Sequence, residues 1–186
     1  MPTFIKMRRE IYQEVEIPES VEVSIDGTSV SVKGSEGEQV RKFILGEVEI
    51  GMKDGKIRLG SHKATKKEKK IINTVVAHLD NMLKGVQEKF EYQLKICSSH
   101  FPMTAEVKGN EAIIKNFLGE KTPRKSKILP GVEVEIKGDI IIVKSSSKEL
   151  AGQVAANFET ATRIRGRDLR VFQDGIYITS KSGREI

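Results

Sequence analysis

One order of elements occurs twice along this chain, and it restricts the possible folds more than any single motif. Alternating strand-like runs, a hairpin turn, an N-capping signal and an amphipathic helix occupy residues 21–86. The same order returns over 103–161, displaced by about 82 residues, which points to an internal duplication. Val21 falls opposite Met103, Gly55 opposite Gly138, and Thr65 opposite Ser146. Few residues are identical, so the correspondence lies in the order and period of the elements.

In the first copy Val21, Val23 and Ile25 alternate with Glu22 and Ser24, the period of a strand with one buried face. Asp26-Gly27 predicts a tight turn, and Val30 and Val32 resume the alternation. Further strands are expected over 39–45, 48–52 and 56–59, with a turn at Asp54-Gly55. Residues 1–20, with Pro2 and Pro18, show no sustained period. The period changes at Ser61. Thr65-x-x-Glu68 has capping-box spacing, in which two side chains satisfy the open N–H groups of a helix start. Ile72, Val75, Val76, Leu79, Met82, Leu83 and Val86 then form one apolar helical face. Gly85 is expected near its C-terminal end.

The second copy opens with Phe90, Tyr92, Leu94 and Ile96 in alternation. Hairpins follow over 105–115 and 132–143. Ser146-x-x-Glu149 reads as a second capping box, and Leu150, Val154, Phe158 and Ala161 continue at helical spacing. The fold class is α+β: two tandem homologous domains, each a small antiparallel or mixed sheet packed with one helix. The domains are expected over 1–84 and 85–186, with the boundary between Lys84 and Glu88.

Charge separates the copies. Residues 14–49 hold nine acids and three bases. The second copy carries a loop, 116–128, in which Lys121, Arg124, Lys125 and Lys127 follow Lys115 against Glu120 alone. Phe117 and Leu118 can anchor its base. A long charged loop on a small sheet is a candidate binding element. Beyond the second helix, Arg163, Arg165, Arg167 and Arg170 are followed by Phe172, Tyr177 and Lys181, with Asp174-Gly175 as a hairpin turn between the rings. Guanidinium pairs with phosphate in two-pronged fashion, and aromatic rings stack on bases. The tail is too apolar for a disordered terminus. A chain ending at Thr162 is therefore expected to fold but to lose most RNA affinity. The five lysines of 62–70 form either a solvated first helical turn or a secondary phosphate contact.

The net charge of +6 and pI near 9.3 fit a polyanionic partner. Cys97, the one cysteine, excludes an internal disulfide and a cysteine-based zinc site, and reads as a strand residue. His62, His78 and His100 lack metal-ligand spacing, and no phosphate-loop, dinucleotide or nucleophile-elbow motif occurs. Gly34-Ser-Glu-Gly37 has the spacing of an RNA-binding G-x-x-G loop but lies between strands and contains Glu36, so it reads as a turn. No run is long enough to span a membrane, and the N-terminus lacks a signal-peptide core. Neither catalysis nor a cofactor is expected, and the protein reads as intracellular.

Ile164 to Lys181, reading I-x-x-R-x-x-R-x-F-x-D-G-I-Y-I-x-x-K, resembles the C-terminal signature of the L-six family of large-subunit ribosomal proteins, in the form shared by archaea and eukaryotes. Asn116-Phe-Leu-Gly-Glu-Lys121 is similar to a second hallmark of that family. Asn81-Met82-x-Lys84-Gly85-Val86, Phe90-x-Tyr92 and His100-Phe101-Pro102 supply a third. Thr160 stands where the signature usually opens with glutamine. The resemblance implies two homologous α+β domains, no catalysis, no cofactor and a cytoplasmic, ribosomal setting. It implies that domain two and the tail bind large-subunit rRNA near the sarcin-ricin loop and factor-binding region. The first domain would meet neighbouring ribosomal proteins, with no membrane and no small-molecule substrate. The alternatives are a regulatory or ribosome-assembly RNA-binding protein, or a module whose basic face meets an acidic protein.

Overall fold

A computed structural model describes residues 9–53 and 55–186. The readings that fell on residues 1–8 and on Asp54 lie outside them. The chain forms two units, divided between Glu88 and Lys89. Every strand pairing within them is antiparallel.

The first unit runs β1 (Arg9–Glu16), β2 (Glu22–Asp26), β3 (Ser29–Gly34), β4 (Gly37–Lys42), β5 (Glu49–Lys53), β6 (Lys56–Ala64) and α1 (Lys66–Gln87). It has two sheets, ordered β1-β6-β5 and β2-β3-β4. The alternating valines of β3, Val30 and Val32, are fully buried, as are Ile57 and Leu59 of β6. They meet Ile72, Leu79 and Val86 of α1 in one core. Each such side chain stabilises the fold by about 1.5–3 kcal/mol relative to exposure. Gly34 and Gly37 pair across the β3–β4 turn, as the reading of that turn required.

Two boundaries differ from expectation. The period-free N-terminal stretch contains β1, which pairs along β6. Val15 is its one buried residue, so no apolar alternation marks it. Gly60 of β6 stands opposite Tyr12, and any side chain there would collide with that ring. β6 continues through Ser61 to Ala64. Gly85 lies near the C-terminal end of α1, as expected, buried in its last turn. The Thr65–Glu68 capping box forms as read.

The second unit runs β7 (Phe90–Cys97), β8 (Thr104–Lys108), β9 (Glu111–Lys115), β10 (Arg124–Lys127), β11 (Glu133–Lys137), β12 (Ile140–Ser145), α2 (Lys148–Ala161), β13 (Gly175–Lys181) and β14 (Arg184–Glu185). Its sheets are β10-β9-β8 and β11-β12-β7-β13-β14. From β7 to α2 this repeats the first unit's connectivity, so the duplication holds in topology. Phe158, Val154 and Ala151 of α2 pack on Leu94, Ile141 and Ile176. The helix is capped by Ser147, whose hydroxyl accepts from Leu150 N, and not by the expected Ser146.

The tail departs most. Asp174-Gly175 is not a hairpin turn. Gly175 opens β13, which lies along β7 from Cys97 to Tyr92 and buries Ile176 completely. The backbone N–H of Ile176 donates to the buried hydroxyl of Thr162. A chain ending at Thr162 would lack a strand of its own sheet, so that truncation does not isolate binding from folding.

Candidate nucleic-acid interface

Three connections of the second unit meet at one place: 98–103 between β7 and β8, 116–123 between β9 and β10, and 162–174 between α2 and β13. Each is tied to another by named contacts. The Asn116 amide donates to Pro102 O at 2.9 Å. Phe101, 45% exposed, packs against Gly119. Arg124 donates to Ala161 O at 2.8 Å and Arg163 O at 3.3 Å, which joins the loop to the end of α2.

Local backbone shapes the loop. Asn116, Leu118 and Gly119 have φ of 59°, 48° and 77°. The left-handed region suits glycine and tolerates asparagine, but holding Leu118 there costs on the order of 1–3 kcal/mol. Burial of Phe117, 1% exposed, and packing of Leu118 on the core hold the turn in place. The Arg124 guanidinium lies over the Phe117 ring at 4.1 Å and grips both Glu120 oxygens at 2.6 and 2.8 Å. The Arg124 hydrogen bonds hold the Glu120 carboxyl below its ordinary range, with Arg167 adding to the effect. Arg124 thus ties the loop to the start of the tail through Ala161 O and Arg163 O.

Asp174, 2% exposed, fastens the tail. It accepts from Ser99 N, from Ser99 Oγ at 2.7 Å and from His100 N, and pairs with His100 Nδ1 at 2.9 Å. Burial pushes its carboxyl up, but these donors outweigh burial and hold it low. His100 in turn stacks on Phe172, ring centroids 4.9 Å apart, and Arg167 lies 4.8 Å from the same ring.

One family model, described as ribosomal protein L6, matches this chain twice, over residues 17–89 and 101–175. The chain belongs to the ribosomal protein L6 family. It is 47% identical over 171 residues to a protein of Methanobrevibacter smithii named large ribosomal subunit protein uL6, covering 92% of this chain and 96% of that one. A protein of the same name from Methanococcus vannielii is 45% identical over 174 residues, covering 94% and 96%. The two L6 matches fall one in each unit, and the second stops where β13 begins.

Within this L6 chain the expected contact residues divide by what already holds them. Lys121, Lys127, Arg163, Arg165 and Lys181 are exposed and have no carboxylate partner among the described residues. Arg167 is exposed beside Phe172 and Glu120. Lys115 pairs with Glu106 at 2.9 Å, Lys125 with Glu111 at 2.9 Å and Arg170 with Asp168 at 2.8 Å. Arg124 is turned inward. Phe172 packs on the core and on His100, and the Tyr177 hydroxyl donates to Asp174 O. Both rings thus serve the tail's own packing. Lys181 stands at the far end of β13 from Gly175, about 20 Å along the strand. The fastening pair His100–Asp174 had no local signal, because its members are far apart in sequence. The His100-Phe101-Pro102 motif and the Asp174-Gly175 step of the C-terminal signature each held one member, and neither showed that the two pair. Among the described residues, no group of three or more His, Cys, Asp or Glu could hold a metal, and no helix is long and apolar enough to cross a membrane.

Proposed function

We propose that this protein is a structural, non-catalytic constituent of the large ribosomal subunit, working in the cytoplasm, whose second unit binds large-subunit rRNA near the sarcin-ricin loop. The observation that carries the reading is the Arg124 bridge from loop to tail. It places Lys121, Arg163 and Arg167 around one convergence of three connections. Lys121, Lys127, Arg163, Arg165, Arg167 and Lys181 meet phosphates directly. Lys115, Lys125 and Arg170 exchange or share their carboxylate partners on binding, and exposed pairs of this kind are weak enough to permit it. Arg124, Phe172 and Tyr177 position the surface. Folded RNA is read there by backbone and shape. The stretch 14–49 of the first unit, acidic overall, gains nothing from phosphate, and that unit faces neighbouring ribosomal proteins.

The test is binding of the full chain to a large-subunit rRNA fragment carrying the sarcin-ricin loop, across a salt series. About six phosphate contacts give a log–log slope of about −4 to −5. Arg165→Ala and Arg167→Ala should each reduce it by about 0.7–0.9. Equal affinity for an unrelated structured RNA of the same size, or unchanged slopes in both variants, would overturn the reading. Co-sedimentation with large subunits at high salt separates a resident protein from an assembly factor, which washes off.

A further inference from the structure

The first unit contains a groove of about 550 Å³ between the segment that follows β4 and the first half of α1. Arg41 and Lys42 reach it from the end of β4, and Lys67 and Lys70 from the first turns of α1. Among the described residues no carboxylate lines it. Glu68, in the same helical turn, is folded back onto Thr65 as half of the capping box. A patch of four cations therefore lies within the unit whose 14–49 stretch is acidic overall.

The lining is also apolar. Phe43 and Val75, 6% and 3% exposed, underlie it with Ile71 beside them. Ile44 stands over it at 92% exposure, the most exposed large apolar side chain among the described residues. Neither feature helps the unit fold. Lysines in the first turns oppose the positive end of the helix dipole. A wholly exposed isoleucine forgoes burial worth more than most surface contacts. An anionic, apolar occupant would reverse both, since its charge meets the lysines and the helix N-terminal end while its side chain covers Ile44.

Protein fits this chemistry better than RNA. RNA held through its phosphates would leave Ile44 uncovered, because the phosphate backbone has no apolar side chain to set against it. An exposed aliphatic side chain above an apolar floor matches another aliphatic or aromatic side chain. We propose that this groove is a docking site for an acidic segment of a partner protein, anchored by an apolar side chain against Ile44. The site lies wholly within the first unit and does not depend on the RNA-binding reading of the second.

The probe is a synthetic peptide of glutamates interrupted by single leucines, titrated into the full chain with isoleucine methyl resonances as reporters. Saturable shifts are expected at Ile44 and Ile71, with Ile176 of the second unit unmoved. Affinity should fall about tenfold or more in Lys67→Glu/Lys70→Glu, where like charges then oppose the peptide. It should fall comparably in Ile44→Asp, and in a peptide carrying glycine in place of leucine. These side chains are exposed, so the variants should keep the fold, read from an unchanged Ile57 resonance. If the glutamates disturb it, Lys67→Gln/Lys70→Gln removes the charge and is read the same way. Shifts confined to the second unit, or unchanged affinity in these variants, would overturn the proposal. So would a uridine oligonucleotide that shifts Ile44 where the peptide does not, because the groove would then be a phosphate site.

Discussion

The opening strand of each unit holds the same place in its sheet, yet their neighbours differ. β1 pairs with β6 alone among the described residues, whereas β7 has β12 on one side and β13 on the other. The helices differ to match. α1 has 22 residues and α2 has 14. Where α2 stops, the chain turns through Arg163–Arg170 and returns as β13. The same frame thus serves two ends. In the second unit the added strand closes an edge of the sheet and carries an arginine-rich connection across the end of the helix. In the first unit four cations, Arg41, Lys42, Lys67 and Lys70, line the groove between β4 and α1. Binding surfaces here come from what each copy adds to the frame, while the shared core supplies rigidity.

Removing β13 should break the comparison most completely. A chain ending at Thr162 is expected to lose the cooperative fold of the second unit while the first keeps its dispersed amide spectrum. Within the full chain, Ile176→Ala should cost about 2–5 kcal/mol of second-unit stability in urea unfolding. Retention of second-unit dispersion by the truncation would show that β13 is a docked tail after all.

Asp174→Ala should come next, at about 1.5–3 kcal/mol, because it removes a buried carboxylate that accepts hydrogen bonds from Ser99 and His100. Its titration has a definite sign. A carboxyl held below its unfolded value stabilises above that value, and the stability is lost as pH falls through the folded one. The second unit should therefore weaken below about pH 4, and Asp174→Asn should flatten part of that acid limb in thermal melts. Arg124→Ala should cost less, about 1–2 kcal/mol, through the bonds to Ala161 and Arg163. The exposed Glu120 pair adds little to that. Hydrogen exchange in 116–123 should rise more than in β9 if the bridge orders the loop.

The smallest difference concerns the helix starts. Thr65→Ala and Ser147→Ala should each cost about 0.5–2 kcal/mol. Thr65→Ala should sit at the upper end, because the Glu68 side chain returns the bond in α1. Equal costs would show that the reciprocal half of the box contributes nothing measurable.

Much of the frame was legible because its periods are local. Val30 and Val32, or Ile72 and Leu79, announce their faces through spacing alone. β1 was hidden because its burial is partial on both faces, and period-two alternation marks a strand only when one face is dry. The N-cap slipped by one residue in the run Ser145-Ser146-Ser147, where each position offers a hydroxyl. The loop's anchors, Phe117 and Leu118, were readable as apolar residues within a basic run. Arg124 was not readable as a fastener, since its acceptors are backbone carbonyls of a distant helix end.

The amino-acid order by itself determined the duplication, the α+β character, the helix faces, and which segments hold basic residues. Those properties depend on neighbours within a few residues, where periodicity and capping operate. Only the tertiary structure decided which charges are committed to internal partners and which remain open. It alone turned the tail into a sheet strand fastened by Asp174. It also brought Lys42 and Lys67 to one groove around an exposed Ile44. Long-range pairing and burial set those outcomes, and neither is written in local spacing.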